Sequence, residues 1–248
     1  MKHLKLLTIT VLPLLWSIYF IFEFVTGRVT NAPMFVGNIA LIILFALCGY
    51  IIYRINIKFE YGFKSKTIFI IFLALMVLDQ GIKLVIKLFF FEKNITLVDN
   101  FLSFNPIINT DGSWLNARFG TGLSFTLLII INIFALLLFF EVYRYVLAKS
   151  QKNFLVDMCF LFIFCGALCS LIDKTFYGGS LDFIGIGYLF IADIKDLYIN
   201  LGLLFFILSL YKNGYLTSNE DTSFKDDLKS LKKFLLFIKH DIFLFKKK

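Results

Sequence analysis

Apolar residues gather into six long runs, at about 6–26, 34–53, 67–91, 122–143, 154–172 and 194–211, with polar segments between them. Each is close to the ~20 residues that a helix needs to cross a bilayer. Basic residues mark one side of these runs. Lys2 and Lys5 precede the first, Arg54, Lys58, Lys64 and Lys66 follow the second, Arg144, Lys149 and Lys152 follow the fourth, and a lysine-rich tail follows Tyr211. If six helices alternate in direction, all four segments share one side, and the positive-inside rule makes both termini cytoplasmic. The first run is longer than the apolar part of a secretory signal, and no small-residue cleavage site follows Glu23. It reads as a retained anchor.

Two segments remain for the opposite side. The first, from about Phe91 to Thr121, holds Asn105, Pro106, Asn109, Asp111, Gly112 and Trp114; the second joins Lys174 to Lys195 and contains Gly178-Gly179 and the alternating run Leu181-Asp182-Phe183-Ile184. Such mixtures of apolar, aromatic and glycine residues predict short strands or interfacial segments, which together form a cap. The tail from Lys212 changes character, opening on an Asn-Gly turn signal. From Phe224 the residues Leu228, Leu231, Phe234, Leu235, Ile238 and Ile242 recur at helical spacing among lysines. An amphipathic helix on an anionic leaflet accounts for them; a partly disordered, solvated tail is the alternative. The expected fold class is an all-α polytopic membrane protein of about six transmembrane helices with a small extracytoplasmic β-rich cap. It divides into two additional N-terminal helices (1–60), a four-helix core with the cap (61–211) and a basic tail (212–248).

Composition narrows the function classes. A hydrophobic share of 59% and a mean hydropathy of +0.84 exclude a soluble globular domain. The 33 Phe lie in apolar runs without interleaved basic residues, so they are not base-stacking platforms, and the net charge of +8 speaks for membrane orientation and anionic lipid, not nucleic acid. Cys48, Cys159, Cys165 and Cys169 all sit in apolar runs and act as small hydrophobes. With His3 and His240 at opposite ends, neither a zinc site nor a histidine triad has support. No metal or other cofactor is expected.

Ionisable residues at a membrane edge are costly, and they mark function. Asp173 ends the fifth run and Asp196 begins the sixth, so topology alone places them at one level on the extracytoplasmic side. Paired carboxyls resist ionising together and tend to share a proton, which makes an acid/base couple. Asp79 and Lys83 stand at i,i+4 in the third run, acid before base, and are expected to form a structural ion pair. Taken singly, bland readings also fit. Asp196 can be a helix N-terminal acid with Asp193 as N-cap, and Asp173 with Lys174 a membrane-edge ion pair.

Four local patterns then follow in order: Asp79-Gln80 with Lys83; Asn109 with Gly112 and Trp114; Gly166-Ala167-Leu168-Cys169-Ser170-Leu171-Ile172-Asp173-Lys174 continuing to Gly178 and Leu181-Asp182-Phe183; and Asp193-Ile194-Lys195-Asp196 with Ile199 and Gly202. Together they resemble the signal peptidase II family, the bacterial lipoprotein signal peptidases. That family shows Asp-Gln-x-x-Lys, an Asn-x-Gly-Ala-Ala-Phe-like loop, Gly-Gly-Ala-x-Gly-Asn-x-x-Asp-Arg leading to a Val-x-Asp-Phe-like run, and Asn-x-Ala-Asp-x-x-Ile. The resemblance covers about residues 67–211. Set against it, Ser170 stands for Asn, Lys174 for Arg, Cys169 for Gly, Asp193 for Asn and Lys195 for Ala.

The resemblance implies a monomeric, multi-pass enzyme of the bacterial cytoplasmic membrane. It would cleave a lipid-modified prolipoprotein before its acylated cysteine by an aspartic mechanism without metal. Asp173 and Asp196 would be the catalytic pair, with Asn109, Gly112, Trp114, Ser170, Lys174, Asp182, Asp193 and Lys195 supporting them or binding substrate. Gly166 and Ala167 would allow close helix approach. The rewritten surroundings motivate an alternative, a catalytically silent relative that binds acylated peptides or lipids. A transporter built on Asn38 and Asn132 is the remaining class, and isolated membrane asparagines more often join helices.

Overall fold

The computed structural model describes residues 2–112, 116, 119–149, 152–214 and 224–245. Six of its helices are long and apolar enough to cross a membrane. They are α1 (Lys2–Val25), α2 (Ala32–Lys58), α3 (Ser65–Val85, extended by a π-turn over Ile86–Phe90), α4 (Phe125–Lys149), α5 (Phe154–Ile172, extended by a π-turn over Asp173–Tyr177) and α6 (Ile194–Lys212). A further helix, α7 (Phe224–Phe245), follows. The polar residues beyond each apolar run keep helical hydrogen bonds going, so α2 and α4 continue to Lys58 and Lys149, past the runs that predicted them. Hydropathy marks the lipid-facing length, not where a helix ends. Starts are fixed by caps. Asn31 accepts from the amide of Met34, Asn153 from Val156, and Asp193 from Asp196.

Helix α5 is the axis of the bundle. Phe154, Leu155, Met158 and Leu161 interlock with Leu204, Phe205 and Leu208 of α6. A Cβ on Gly166 would lie 2.7 Å from Ile199 Cγ1, and one on Gly202 would lie 3.0 Å from the amide of Ile163. Only glycine permits that approach, the small-residue packing that membrane helices favour. By contrast the outer faces of α1 to α4 leave side chains such as Ile18, Leu47, Val77 and Phe134 more than half exposed, a surface suited to lipid.

The predicted cap is a four-stranded antiparallel sheet, β1 (Ile95–Val98), β2 (Leu102–Asn109), β3 (Ser180–Ile186) and β4 (Phe190–Ala192), in the order β1-β2-β3-β4. Asn109 pairs with Ser180 and Ile107 with Asp182, and the β2–β3 register shifts between Phe104 and Ile107, around Pro106, which has no amide to give the ladder. Strand alternation turns Leu181 and Phe183 toward Ile82 and Ile86 of α3. It turns Ser180 and Asp182 to the other face, and this sets the site.

The two additional helices pack as a hairpin against the cap. Met34 joins Phe101, Ile186 and Leu189 in one cluster, with Trp16 and Tyr19 beside it. Asn38, fully buried, accepts from the Trp16 indole at 3.1 Å and donates to Met34 O, so it joins α1 to α2. Arg28 pairs with buried Glu23 at 3.1 Å and donates to the carbonyls of Tyr188 and Leu189 at 2.5 and 2.8 Å. It thus braces the turn between β3 and β4. Replacing Arg28 with Ala is expected to lower the unfolding midpoint in detergent by several degrees, since about 1–3 kcal/mol attaches to buried groups that lose a charged donor. An unchanged midpoint in scanning fluorimetry would show the brace to be dispensable. In α7, Phe234 and Phe237 flank the ring of Tyr145 on α4, each at 5.3 Å, so the amphipathic helix is docked at the end of the bundle.

Candidate active site

One polar cluster is buried where the sheet meets the ends of α3, α5 and α6. Asp79 and Lys83 come from α3, Asp173 from the π-turn that closes α5, Ser180 and Asp182 from β3, and Asp193 and Lys195 from the start of α6. Asp79, Asp173, Asp182, Asp193, Lys83 and Lys195 are each no more than 5% exposed. Charges so buried persist only when paired.

The pairing is dense. Lys83 Nζ lies 2.9 Å from Asp79, 2.7 Å from Asp173 and 2.6 Å from Asp193. The expected i,i+4 pair with Asp79 is thus one arm of a three-way contact. Gln80 donates to Asp79 at 2.9 Å and to Asp173 Oδ1 at 3.2 Å. The Ser180 hydroxyl stands 2.6 Å from Asp182 Oδ1, 3.2 Å from Asp193 Oδ2 and 3.3 Å from Asp173 Oδ2, and accepts from Lys195. Lys195 Nζ is also 2.5 Å from Asp193, 3.4 Å from Asp173 and 3.7 Å from Asp182. Asn109, across the β2–β3 ladder, donates to Asp182 Oδ2 at 2.8 Å.

Asp196 lies at the rim. Its Oδ2 accepts the amide of Asp193 at 3.1 Å while Asp193 Oδ1 accepts the amide of Asp196 at 3.2 Å, a reciprocal capping box that fixes the helix start. Among the described residues, Asp173 and Asp196 have no hydrogen-bonding partner in common. Asp182 and Asp193 share one, the Ser180 hydroxyl, and both lie within ion-pair distance of Lys195 Nζ, at 3.7 and 2.5 Å. Lys174 donates to Ser170 instead of pairing with Asp173. Gly112 takes a left-handed conformation with φ +71°, which favours glycine. Trp114 lies outside the described residues.

The environments of Asp182 and Asp193 diverge. Burial pushes the Asp182 carboxyl up, and the opposing pull of Lys195 and of hydrogen bonds from Ser180 and Asn109 does not cancel it. Burial also works against charge on Asp193, but the ammonium groups of Lys195 and Lys83 outweigh it and hold that carboxyl below its ordinary range. Two acids with separated ionisation divide naturally into a proton donor and a proton acceptor. Asp182, Asp193 and Asp196 also bring one carboxylate oxygen each within 4.8 Å of the others, a spacing open to a cation. In this arrangement the positive charge at Asp182 and Asp193 is the Lys195 ammonium.

Ser180 is the residue that sequence reasoning did not reach. Its signal was its place two residues before Asp182 in an alternating run, hence on the same face. The last motif also admits a second register. Taking Ala192-Asp193 as the Ala-Asp of the Asn-x-Ala-Asp run puts its aspartate at 193, with Phe190 at the Asn position; the first register matched Asp196 and Ile199 instead.

Comparison with known proteins bears on this cluster. A profile of the family described as Signal peptidase (SPase) II matches residues 71–212. The lipoprotein signal peptidase of Staphylococcus carnosus (strain TM300) is 32% identical over 125 residues, which span 49% of this chain and 72% of that protein. A bacterial membrane enzyme solved by the in meso method at 2.3 Å resolution shares the fold, with a TM-score of 0.51 at 24% identity over 66% of this chain and 99% of that one. The matched stretch runs from α3 through α6 and contains every residue of the buried cluster, while α1, α2 and α7 fall outside it. The match covers more than half of the chain and the whole of this buried cluster, and the chain belongs to the signal peptidase II family.

Proposed function

We propose that the chain is an aspartic endopeptidase that removes signal peptides from lipid-modified precursors, with Asp182 and Asp193 as the reacting pair in place of Asp173 and Asp196. The family makes it a peptidase, and the Staphylococcus relative, a lipoprotein signal peptidase, suggests the substrate class. Three buried carboxyls meet on the Ser180 hydroxyl, those of Asp182, Asp193 and Asp173, at 2.6, 3.2 and 3.3 Å. What carries the assignment of the pair is that Asp173 is also held by Gln80 and Lys83, while Asp182 and Asp193 are the two with unlike environments.

The chemistry follows from their unlike environments. Asp193, kept ionised by two ammonium groups, takes a proton from a water as that water adds to the scissile carbonyl. Asp182, whose burial favours the protonated form, gives its proton to the carbonyl oxygen. Collapse of the tetrahedral intermediate returns a proton to Asp182 and passes the one on Asp193 to the leaving amine, so both groups end as they began. Asn109 orients Asp182 from the neighbouring strand, and Asp173 acts through Lys83, Gln80 and Ser180.

A lipid-tethered substrate suits the setting. On the opposite face of β3, Phe183 with Ile82, Val85, Ile86 and Phe104 lines an apolar groove of about 670 Å³ between α3 and the sheet. An acyl chain lying along the bundle would place its peptide at the level of the cluster. The lysine and arginine distribution supports a reading with this end of the bundle on the extracytoplasmic side and both termini in the cytoplasm.

The test is cleavage of a purified lipid-modified prolipoprotein by the detergent-solubilised chain. Release of the signal peptide next to the acylated cysteine is the expected result. Binding of lipopeptide with no cleavage at enzyme excess would instead mark a silent relative.

A further inference from the structure

Lys195 is the residue whose presence ordinary packing least explains. It sits in the first turn of α6, where the positive end of the helix dipole disfavours a cation. It is also buried, at a cost that only tightly placed acids offset. The signal peptidase II run, in either register, prescribes no cation at this position. Yet the side chain folds back to Asp193 at 2.5 Å, and it also reaches Ser180 and Asp182.

The surrounding charges give the reason. Facing the pair are Asp79 and Lys83 from α3, Asp173 and Lys174 from the end of α5, Asp182 from β3, and Asp193, Lys195 and Asp196 from α6. Lys83 is divided among Asp79, Asp173 and Asp193. Among the described residues, Lys195 is the cation in contact with both Asp182 and Asp193. Without it, Lys83 would be the ammonium left in contact with Asp193, and among the described residues no ammonium would contact Asp182.

We propose that Lys195 is a positioning residue of this chain, a fixed ammonium that contacts both members of the reacting pair and balances the charge of the proton-accepting Asp193. The inference rests on Asp182 and Asp193 being that pair. Lys195 stays protonated throughout and exchanges no proton with substrate. Its work is electrostatic, and it confers tolerance of acidic conditions on a site crowded with carboxyls.

The experiment is the pH profile of kcat/KM on a lipid-modified prolipoprotein, measured for the wild type, Lys195→Met and Lys195→Arg, with unfolding midpoints taken alongside. Loss of a contacting charge moves a carboxyl by about one pH unit or more. Lys195→Met is therefore expected to shift the acidic limb toward neutral by that amount and to lower kcat at neutral pH about tenfold, with KM held within about twofold. Lys195→Arg, which keeps the charge, is expected to hold the limb near its wild-type position. An unmoved limb in Lys195→Met, or the same displacement in Lys195→Arg, overturns the proposal. Those outcomes are separate from failure of the underlying reading. A wild type that never cleaves, or one that survives Asp182→Asn, removes the reading and this inference together. An infrared titration of Lys195→Met gives a readout that needs no turnover: the protonated-carboxyl band is expected to appear at higher pH than in the wild type, and coincident titrations would count against the proposal.

Discussion

Asp182→Asn and Asp193→Asn are each expected to reduce cleavage of a lipid-modified precursor by about three to four orders of magnitude, the upper range for removing one member of an acid/base pair. Both changes keep size and hydrogen-bonding shape. Asn caps a helix nearly as well as Asp, so the start of α6 is retained at position 193. The loss should therefore appear in kcat. Asp182→Asn should leave the unfolding midpoint little changed, whereas Asp193→Asn takes a buried partner from both Lys83 and Lys195 and should lower it. Asp196→Asn, whose role is the capping box, is expected to stay within about tenfold of wild type, because its amide oxygen still accepts the amide of Asp193. Full activity in Asp182→Asn or Asp193→Asn, with silence in Asp173→Asn and Asp196→Asn, would restore the pair that the span edges first indicated. The pH profile offers a second check with a defined sign. Asp193 works ionised from a lowered position, so activity should rise as pH climbs through that group. Asp182 works protonated from a raised position, so activity should fall as pH climbs through it. A profile that rises monotonically across both ranges would contradict the division of labour.

What the sequence makes legible follows from the physics that each element obeys. Membrane-crossing helices need a fixed length of apolar residues, so all six were visible as runs, and the cap was visible in the alternation of Leu181-Asp182-Phe183-Ile184. Asp173 and Asp196 drew attention because they stand at span edges, where topology fixes their level. Level, however, is not proximity. The fold-back of β3 onto β4 pairs Ile184 with Ala192 and carries Asp182 back beside Asp193, one residue past the end of β4. That is a matter of strand register and loop length, which composition does not encode. Asp193 as the N-cap of α6, with Asp196 as an acid in its first turn, is legible because these residues are local, while their reciprocal bonding is seen in the fold. The brace from Arg28 to Tyr188 was not, because it spans 160 positions and ends on backbone carbonyls that any residue supplies. Lys83 illustrates both cases. Its i,i+4 partner could be read from spacing, whereas its contacts with Asp173 and Asp193 depend on how three helices converge.

Lys83→Met is expected to be the most damaging single change to the fold of the core. The ammonium lies within 2.9 Å of three carboxylates on three different elements, and its side chain is 5% exposed. Removing one partner of a buried ion pair costs about 3–5 kcal/mol, because it leaves uncompensated charge in a poorly polarisable place. Here three acids lose that partner at once, and Asp193 keeps only Lys195. The variant should show a large drop in unfolding midpoint and lose cleavage with it. Charge balance, not packing, is the cause, and experiment separates the two. Lys83→Met combined with Asp79→Asn and Asp173→Asn removes two of the three opposed charges at nearly constant volume, so it should recover most of the lost stability. Activity should stay low, since Asp193 would still lack one of the two cations that hold it ionised. Scanning fluorimetry on the single and triple variants decides the matter. A triple variant no more stable than Lys83→Met would mean that the lysine stem, by filling space between α3, α5 and α6, matters more than its charge.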